Sequence, residues 1–500
     1  MSLINISHLS FCYEGSYDPV FEDVSFQIDT DWKLGFCGRN GRGKTTFLRL
    51  LQGVYPCGGA ISASVRFTYF PYPVTEPNRM TLDILAELTP HAAQWQVERE
   101  LSKLDMPPDA LYRPFDTLSN GERTKALLAA LFLSPDHFLL IDEPTNHLDG
   151  EARGTVARYL SGKKGFILVS HDRAFLDACV DHILSINRTD IEVQSGNFST
   201  WHENKRRQDA MEQARHDRLQ KEAGKLAEAS RRAANWSDRV EKSKKQPQAS
   251  GNSPDRGYIG HQAARMMKRA KSIQRRRDEA VEEKAALLRN VESAEGLKLS
   301  SLTYHSPRLA QLDDVCVDYG GRPVCRGITF TVERGDRVAL TGPNGSGKSS
   351  VIKLLLGRDI PHSGSVRLGS GLVAAYVPQD TDFLQGSLDD FAARQGADES
   401  LLKTILRKLD FTRAQFDTDM ADYSAGQKKK VLIACSLCRR AHLYVWDEPL
   451  NYIDILSRMQ IEDLILAHSP TLVFVEHDRA FCDRVATKTV LFAEPEGRDR

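Results

Sequence analysis

Gly38-Arg39-Asn40-Gly41-Arg42-Gly43-Lys44-Thr45 and, about 300 residues later, Gly342-Pro343-Asn344-Gly345-Ser346-Gly347-Lys348-Ser349 are two copies of one pattern, G-x-x-x-x-G-K-[ST]. In this spacing the glycines let backbone N–H groups turn inward around phosphate oxygens. The lysine adds a charge beside the β- and γ-phosphates, and the Thr or Ser hydroxyl reaches Mg²⁺. The first copy follows the short apolar run Leu34-Gly35-Phe36-Cys37, and Thr46-Phe47-Leu48-Arg49-Leu50-Leu51 opens a helix behind it; Val338-Ala339-Leu340 precedes the second. Strand, loop and helix in that order are the context a P-loop needs. The sequence predicts an α/β fold with two tandem P-loop domains, each binding ATP.

The same further motifs follow each P-loop in the same order. After the first come Leu118-Ser119-Asn120-Gly121-Glu122, the apolar run Phe138–Ile141 into Asp142-Glu143, then Asn146-His147-Leu148-Asp149 and Ser170-His171-Asp172. After the second come Tyr423-Ser424-Ala425-Gly426-Gln427, Tyr444-Val445-Trp446 into Asp447-Glu448, then Asn451-Tyr452-Ile453-Asp454 and Glu476-His477-Asp478. Phe138–Ile141, 165–169, Leu443–Trp446 and 471–475 read as parallel strands buried on both faces. This set resembles the ATP-binding cassette superfamily, with its Walker A, signature, Walker B, D-loop and H-switch motifs. The resemblance covers about four-fifths of the chain, everything except the middle.

Composition narrows the class. The chain has 67 Lys and Arg against 67 Asp and Glu, but the balance is uneven. From Lys205 to Arg289 there are 23 basic and 12 acidic side chains, an excess of +11, so the remainder sums to −11. A basic middle between acidic domains is the asymmetry of a nucleic-acid reader. No stretch approaches the ~20 apolar residues of a membrane-crossing helix, and the N-terminus lacks the basic start and apolar core of a signal peptide. Nine scattered cysteines suit a reducing cytosol, so a cytoplasmic protein is expected. Cys435 and Cys438 form a lone C-x-x-C without a second ligand pair, which favours buried helix positions over zinc or redox chemistry.

Three domains are expected: 1–200 and 301–500 as the ATP-binding domains, with 201–300 between them. The middle is rich in Lys, Arg, Glu, Ala and Gln, poor in aromatics, and spaced for helix. Its pattern breaks only at Gln246-Pro247-Gln248-Ala249-Ser250-Gly251-Asn252-Ser253-Pro254, giving two helices, ~199–244 and ~258–292, joined by a polar loop. At 1.5 Å per residue each reaches roughly 50–65 Å. A charge-rich helix is often a solvated spacer, but a spacer requires neither a hairpin nor a basic excess gathered at its loop and return arm.

Tandem cassettes without a membrane span, separated by a basic helical hairpin, resemble the ABC-F family of ribosome-associated ATPases. Gly196-Asn197-Phe198-Ser199-Thr200-Trp201 looks like that family's entry into its linker. The segments 448–454 and 426–430, the long hairpin, and the absence of a large insertion in the first cassette look like its antibiotic-resistance branch, of the Lsa and Vga type. The resemblance implies a monomer whose cassettes dimerise within the chain, with the 70S ribosome as partner. It would sit at the tRNA exit site against 23S rRNA and P-site tRNA, protecting the peptidyl-transferase centre from lincosamides, streptogramin A and pleuromutilins. A housekeeping translation factor of the same family is the alternative, and a DNA-directed or transporter-associated ATPase a more distant one.

The resemblance also implies roles. Lys44, Thr45 and Thr46 with Gly38, Asn40, Gly41 and Gly43, and Lys348, Ser349 and Ser350 with Gly342, Asn344, Gly345 and Gly347, would hold the nucleotides. Signature residues Ser424 and Gly426 would complete the first site, and Ser119 and Gly121 the second. Thr45 and Asp142, and Ser349, Asp447 and Gln379, would hold Mg²⁺. Glu143 and Glu448 would be general bases, with His171 and His477 contacting the γ-phosphate. Tyr13 and Tyr319 match the adenine-stacking aromatic, a core aromatic being the alternative. One departure stands out: Tyr376-Val377-Pro378-Gln379 supplies a Q-loop glutamine, whereas the first cassette has Tyr69-Phe70-Pro71-Tyr72. Tyr72 either makes the two sites unequal or is tolerated by local packing. In the hairpin tip, ~236–265 and its flank, Trp236, Arg239, Lys242, Lys244, Lys245, Arg256, Tyr258, Arg265, Lys268 and Arg269 are the candidate RNA contacts, the cations for phosphates and the aromatics for unpaired bases.

Overall fold

The computed structural model describes residues 2–15, 19–134, 137–145, 148, 150–186, 191–243, 261, 264–265, 267–269, 271–276, 278, 302–319, 323–343 and 345–493. The chain divides into two compact units: residues 1–199 with 295–500, and residues 200–294.

In the larger unit each cassette pairs two sheets. The first has a parallel sheet in the order Arg66–Phe70, His137–Asp142, Phe166–Val169, Lys33–Gly38 and His182–Ile186, with Ile191–Ser195 added antiparallel at the edge. The second repeats it as Ala374–Val377, Leu443–Asp447, Leu472–Val475, Arg337–Thr341 and Lys488–Leu491. The central strands are unbroken apolar runs because helices cover both faces: Phe166–Val169 and Leu472–Val475 are buried at every residue. A three-stranded antiparallel sheet accompanies each, built on Leu3–Phe11 and on Arg308–Asp318. Register sets Asp142 beside Val169 and Asp447 beside Val475, one strand from the P-loop strand. Both acidic residues therefore end at the carboxyl edge of the sheet, where ligands of open α/β folds bind.

The helix Asn120–Leu131 in the first cassette and Ala425–Cys438 in the second start with the same device. Ser119 Oγ accepts from Glu122 N while Ser119 N donates to Glu122 Oε2, and Ser424 with Gln427 repeats the exchange. This reciprocal capping satisfies two end donors and fixes where each helix begins. Cys435 and Cys438 lie buried in the second of these helices, and burial pushes their thiols up to about 11 and about 12.

In the smaller unit runs most of Phe198–Ser243, a helix of 46 residues and about 69 Å at 1.5 Å per residue. Its surface carries i,i+4 pairs, Glu203 with Arg207 and Glu228 with Arg232, which favour a helix surrounded by water. The described residues between 261 and 278 are helical too. The polar loop expected at 246–254 lies outside the described residues. Among the described residues no helix is long and apolar enough to cross a membrane.

One buried carboxylate braces the helices of the first cassette. Glu100 accepts from Lys103 Nζ at 2.8 Å, Lys163 Nζ at 2.5 Å and Tyr159 Oη at 2.9 Å. Burial alone would raise its pKa, but these bonds override it and hold the carboxyl at about 2. Their contribution is full above the ordinary carboxyl value and fades as pH falls toward about 2. We expect Glu100→Ala, which leaves the Tyr159 hydroxyl unpaired, to cost about 2 kcal/mol at neutral pH in a denaturant titration, and the gap to wild type to narrow in acid.

Candidate nucleotide sites at the cassette interface

The two P-loops have the same local geometry. Gly43 and Gly347 both have φ of 91°, a left-handed value that a side chain resists, and a Cβ would lie 2.6 Å from Val20 Cγ1 in one and 2.9 Å from Cys325 Cβ in the other. Lys44 Nζ donates to Gly38 O at 2.7 Å and Arg39 O at 3.1 Å; Lys348 Nζ donates to Gly342 O and Pro343 O at 2.8 and 2.7 Å. Burial lowers both lysines' pKa, opposed by the acidic groups around them. Asn344 lies outside the described residues. Thr46 and Ser350 hold phenols: Tyr13 Oη is 2.6 Å from Thr46 Oγ1, and Tyr319 Oη is 3.2 Å from Ser350 Oγ. Both rings are 43 % exposed, so each offers a face beside the P-loop helix rather than filling a core.

At the strand ends, Thr45 Oγ1 donates to Asp142 Oδ2 at 3.2 Å and Ser349 Oγ to Asp447 Oδ1 at 3.4 Å. Each pair is an all-oxygen donor set of the kind Mg²⁺ prefers. Glu143 and Glu448 follow with φ of 50° and 47°, a left-handed backbone that non-glycine residues rarely adopt. Each is hooked by its N–H to the neighbouring strand, at Val169 O and Val475 O. His171 Nε2 lies 3.3 Å from Glu143 Oε1, and His477 Nε2 lies 3.5 Å from Glu448 Oε1.

There the likeness ends. Glu448 Oε2 accepts from Gln379 Nε2 at 2.9 Å and Asn451 Nδ2 at 2.8 Å. The carboxylate of Glu143 is buried and accepts no hydrogen bond among the described residues; Asn146, the match of Asn451, is outside them. Burial and the Asp142 charge push Glu143 up to about 8, whereas the His477 bond, against burial, holds Glu448 below its ordinary value. Burial and the nearby Lys44 charge drive His171 well below its usual range, leaving it neutral. Tyr72 is exposed, and the residue that reaches the first site is Tyr69, whose hydroxyl donates to Asp142 Oδ2 at 2.7 Å. Tyr69 is the match of Tyr376 in the second cassette, in the same strand register, so the departure at the Gln379 position is Tyr72.

The cassettes meet head to tail within the chain. Asn40 Nδ2 donates to Tyr452 O at 2.7 Å, and Asn40 N to Asp454 Oδ2 at 3.4 Å. A Cβ on Gly426 would lie 2.4 Å from Tyr452 O of its own cassette and 2.9 Å from Asn40 Nδ2, so the second signature comes up against the first P-loop. Arg42 grips both oxygens of Asp410 at 3.0 Å, and Arg173 grips Glu462. Ser119 and Gly121 stand at the start of their helix and share no hydrogen bond with the second P-loop among the described residues. Instead Gly150 and Glu151 of the first cassette share a cavity with Gly342, Pro343 and His477.

Of the candidate RNA contacts, Trp236, Arg239 and Lys242 fall in the helix Phe198–Ser243. Arg265, Lys268 and Arg269 are helical and exposed. Lys244, Lys245, Arg256 and Tyr258 lie outside the described residues.

The ABC transporter family profile matches residues 21–146 and 325–451. The chain is similar to the ATP-binding protein Uup of Caulobacter vibrioides, 30 % identical, covering 94 % of this chain and 74 % of that one. It is 27 % identical to the ribosome protection protein VmlR of Bacillus subtilis, over 99 % of this chain and 86 % of the relative. It is 25 % identical to the energy-dependent translational throttle protein EttA of Haemophilus influenzae, over 94 % and 88 %. Among solved structures, the archaeal ribosome recycling factor aABCE1, in complex with the ribosomal stalk protein aP1, superposes with a TM-score of 0.64 over 98 % of this chain and 88 % of its own, at 18 % identity, a likeness of fold.

The unequal surroundings of the two glutamates generate a test. Glu448→Gln is expected to lower ATP turnover about 100-fold, the scale of a lost general base, and Glu143→Gln by less than about fivefold. Equal residual rates in a phosphate-release assay would count against the inequality.

Proposed function

The chain belongs to the ATP-binding cassette family, in its ABC-F branch, and on that premise we propose that it is a cytoplasmic ATPase that binds the 70S ribosome and protects the peptidyl-transferase centre from antibiotics. The observation that carries the ATPase reading is the repeated trio at each strand end: hydroxyl on aspartate, glutamate held left-handed, histidine on that glutamate. The reaction is ATP and water to ADP and phosphate. Thr45 with Asp142, and Ser349 with Asp447 and Gln379, would hold Mg²⁺, which would supply charge neutralisation on the phosphoryl oxygens. Lys44 and Lys348 add fixed positive charge beside them. Glu448, ionised and aimed by Gln379 and Asn451, orients the attacking water and takes its proton; Glu143 stands in the matching place. His171 and His477 donate toward the γ-phosphate. Gly426 and Ser424 complete the first site from across the interface, as Ser119 and Gly121 would complete the second.

The ribosome reading rests on two supports: an excess of 11 basic charges in the segment between the cassettes, and relatives whose names tie them to ribosome protection and to translation. Lys and Arg there neutralise rRNA phosphates, and Trp236 and Tyr258 supply stacking faces for unpaired bases or a tRNA end. Nucleotide binding closes the cassettes and hydrolysis releases them, so ATP times residence on the ribosome. A second reading, a housekeeping factor acting on ribosomes without drug specificity, is favoured by the similarity to EttA.

Two experiments separate these. Glu143→Gln combined with Glu448→Gln is expected to trap the protein on 70S particles in a sucrose gradient with ATP; no ATP-dependent association sinks both ribosome readings. Deleting 245–257 is expected to leave basal ATPase within about twofold, because neither cassette is touched, and to abolish protection in translation assays with lincosamide, streptogramin A or pleuromutilin. Equal inhibition of translation by each drug, with or without the protein, assigns it to the housekeeping reading.

A further inference from the structure

Arg153 stands four residues after Asp149, on the helix Gly150–Ser161 that leaves the first D-loop. Its guanidinium makes three bonds. Nε donates to Leu148 O at 3.0 Å in its own D-loop, and Nη1 donates to Asp172 Oδ2 at 3.3 Å, next to its own His171. Nη1 also donates across the interface to the main-chain oxygen of His477 at 3.2 Å. The side chain is largely buried, so these bonds face little competition from water.

Arg458 occupies the matching place in the second cassette, four residues after Asp454. It repeats the first two bonds, to Ile453 O at 2.9 Å and to Asp478 Oδ2 at 3.0 Å. A shared pair of bonds that ties a D-loop to its own switch loop is a structural brace common to both cassettes. The bond to His477 is not part of that brace: it joins the brace of one cassette to the histidine of the other. Planar, forked and always charged, arginine can hold three acceptors in fixed relation, which lysine cannot.

We propose that Arg153, contributed by the first cassette, is a positioning residue for His477 of the second ATP site. It reads the arrangement of Leu148 and Asp172 around the first site and sets the main chain that aims the His477 imidazole at the γ-phosphate. Movement of the first D-loop thus carries the second site's histidine with it, and turnover at the second site depends on closure at the first. The helix bearing Arg153 begins on the wall of the cavity shared with Gly342, Pro343 and His477, so the path is a single turn long. This inference rests on the ATPase reading above.

The test places Arg153→Gln in each single-site background of the full chain. In Glu143→Gln, where the second site turns over, Arg153→Gln is expected to lower kcat about tenfold with KM for ATP changed less than about twofold, since positioning acts on the transition state. In Glu448→Gln, where the first site turns over, the same change is expected to alter kcat less than about twofold. Arg153→Lys is expected to restore part of the loss, keeping charge and one bond. Equal losses in both backgrounds, with a lowered melting temperature, would mean that Arg153 is only a brace and overturn the proposal, as would full turnover of Arg153→Gln in the Glu143→Gln background. If Arg153→Gln does not fold, Arg153→Lys in the two backgrounds decides by the same inequality. Undiminished hydrolysis in the Glu143→Gln, Glu448→Gln double variant is a separate outcome: it removes the assignment of the two glutamates as general bases, and the proposal with it.

Discussion

The carboxylate of Asp454 is the point where three elements are tied together. It accepts from Ser457 N at 2.8 Å and Ser457 Oγ at 2.9 Å, capping the helix Ile455–His468. It accepts from Lys430 Nζ at 2.9 Å on the signature helix, and from Asn40 N at 3.4 Å in the P-loop of the other cassette. Burial on its own would raise its pKa; the Lys430, Lys44 and Arg39 charges override it and hold the carboxyl far below the usual range. A fully buried anion is tolerable only with such a complete set of partners, and loss of one partner costs about 3–5 kcal/mol. D-loop, signature helix and opposing P-loop are therefore fixed relative to one another by a single side chain, and the composite site follows from that.

The two cassettes solve the same problem with different chemistry. Around the second switch loop, Glu476 is buried, accepting from Leu450 N at 2.7 Å and His477 N at 3.1 Å, and Lys429 is buried with its ammonium on Pro378 O at 2.9 Å. The matching residues of the first cassette are Ser170 and Thr124, and there Ser170 Oγ meets Thr145 Oγ1 at 3.2 Å. Lys429 ties the second Q-loop to its signature helix, and Gln379 on that loop then reaches Glu448. In the first cassette Tyr72 stands exposed at the Gln379 position, and Tyr69, the match of Tyr376, donates to Asp142. One site presents an ionised base aimed by Gln379 and Asn451; the other presents a base whose pKa is raised and whose carboxylate accepts no hydrogen bond among the described residues. Swaps at these three positions, Glu476 for Ser170, Lys429 for Thr124 and Gln379 for Tyr72, are what set the surroundings of the two glutamates apart.

What could be read from the sequence was whatever is encoded within a few consecutive residues. P-loops, buried strands ending in Asp-Glu, and the Ser-x-x-Glu and Ser-x-x-Gln helix starts are local patterns, and local geometry alone dictates them. The helix expected over ~199–244 is observed as Phe198–Ser243 because its periodicity and i,i+4 charges persist for its whole length. What stayed hidden depends on two segments far apart in sequence. That the Tyr69 hydroxyl reaches Asp142 emerges only when their two strands pair. Arg153 resembles any helix-surface arginine until the other cassette brings His477 O to it. The pairing of Gly426 with the first P-loop is what the resemblance to the superfamily implies, and Asn40 lies against it, though the tighter limit on a side chain there is Tyr452 O of its own cassette.

The manner in which the cassettes meet bears on how they separate. The apolar clusters around Phe47 and Leu140, around Leu340 and Val473, and around Trp446 and Phe474 each lie within one cassette. The bonds described across the interface are polar: Asn40 to Tyr452, Arg42 to Asp410, Arg153 to His477, Arg173 to Glu462. Groups of this kind are well hydrated when apart, so separation exposes little apolar surface and costs far less than opening a hydrophobic core. Such an interface is selective for one register, because a misplaced charge is left unpaired, yet it is only weakly held. A ligand that contacts both faces then supplies most of the difference between open and closed, and its removal returns the balance. A polar interface of this kind suits the proposed cycle of closure and release driven by nucleotide.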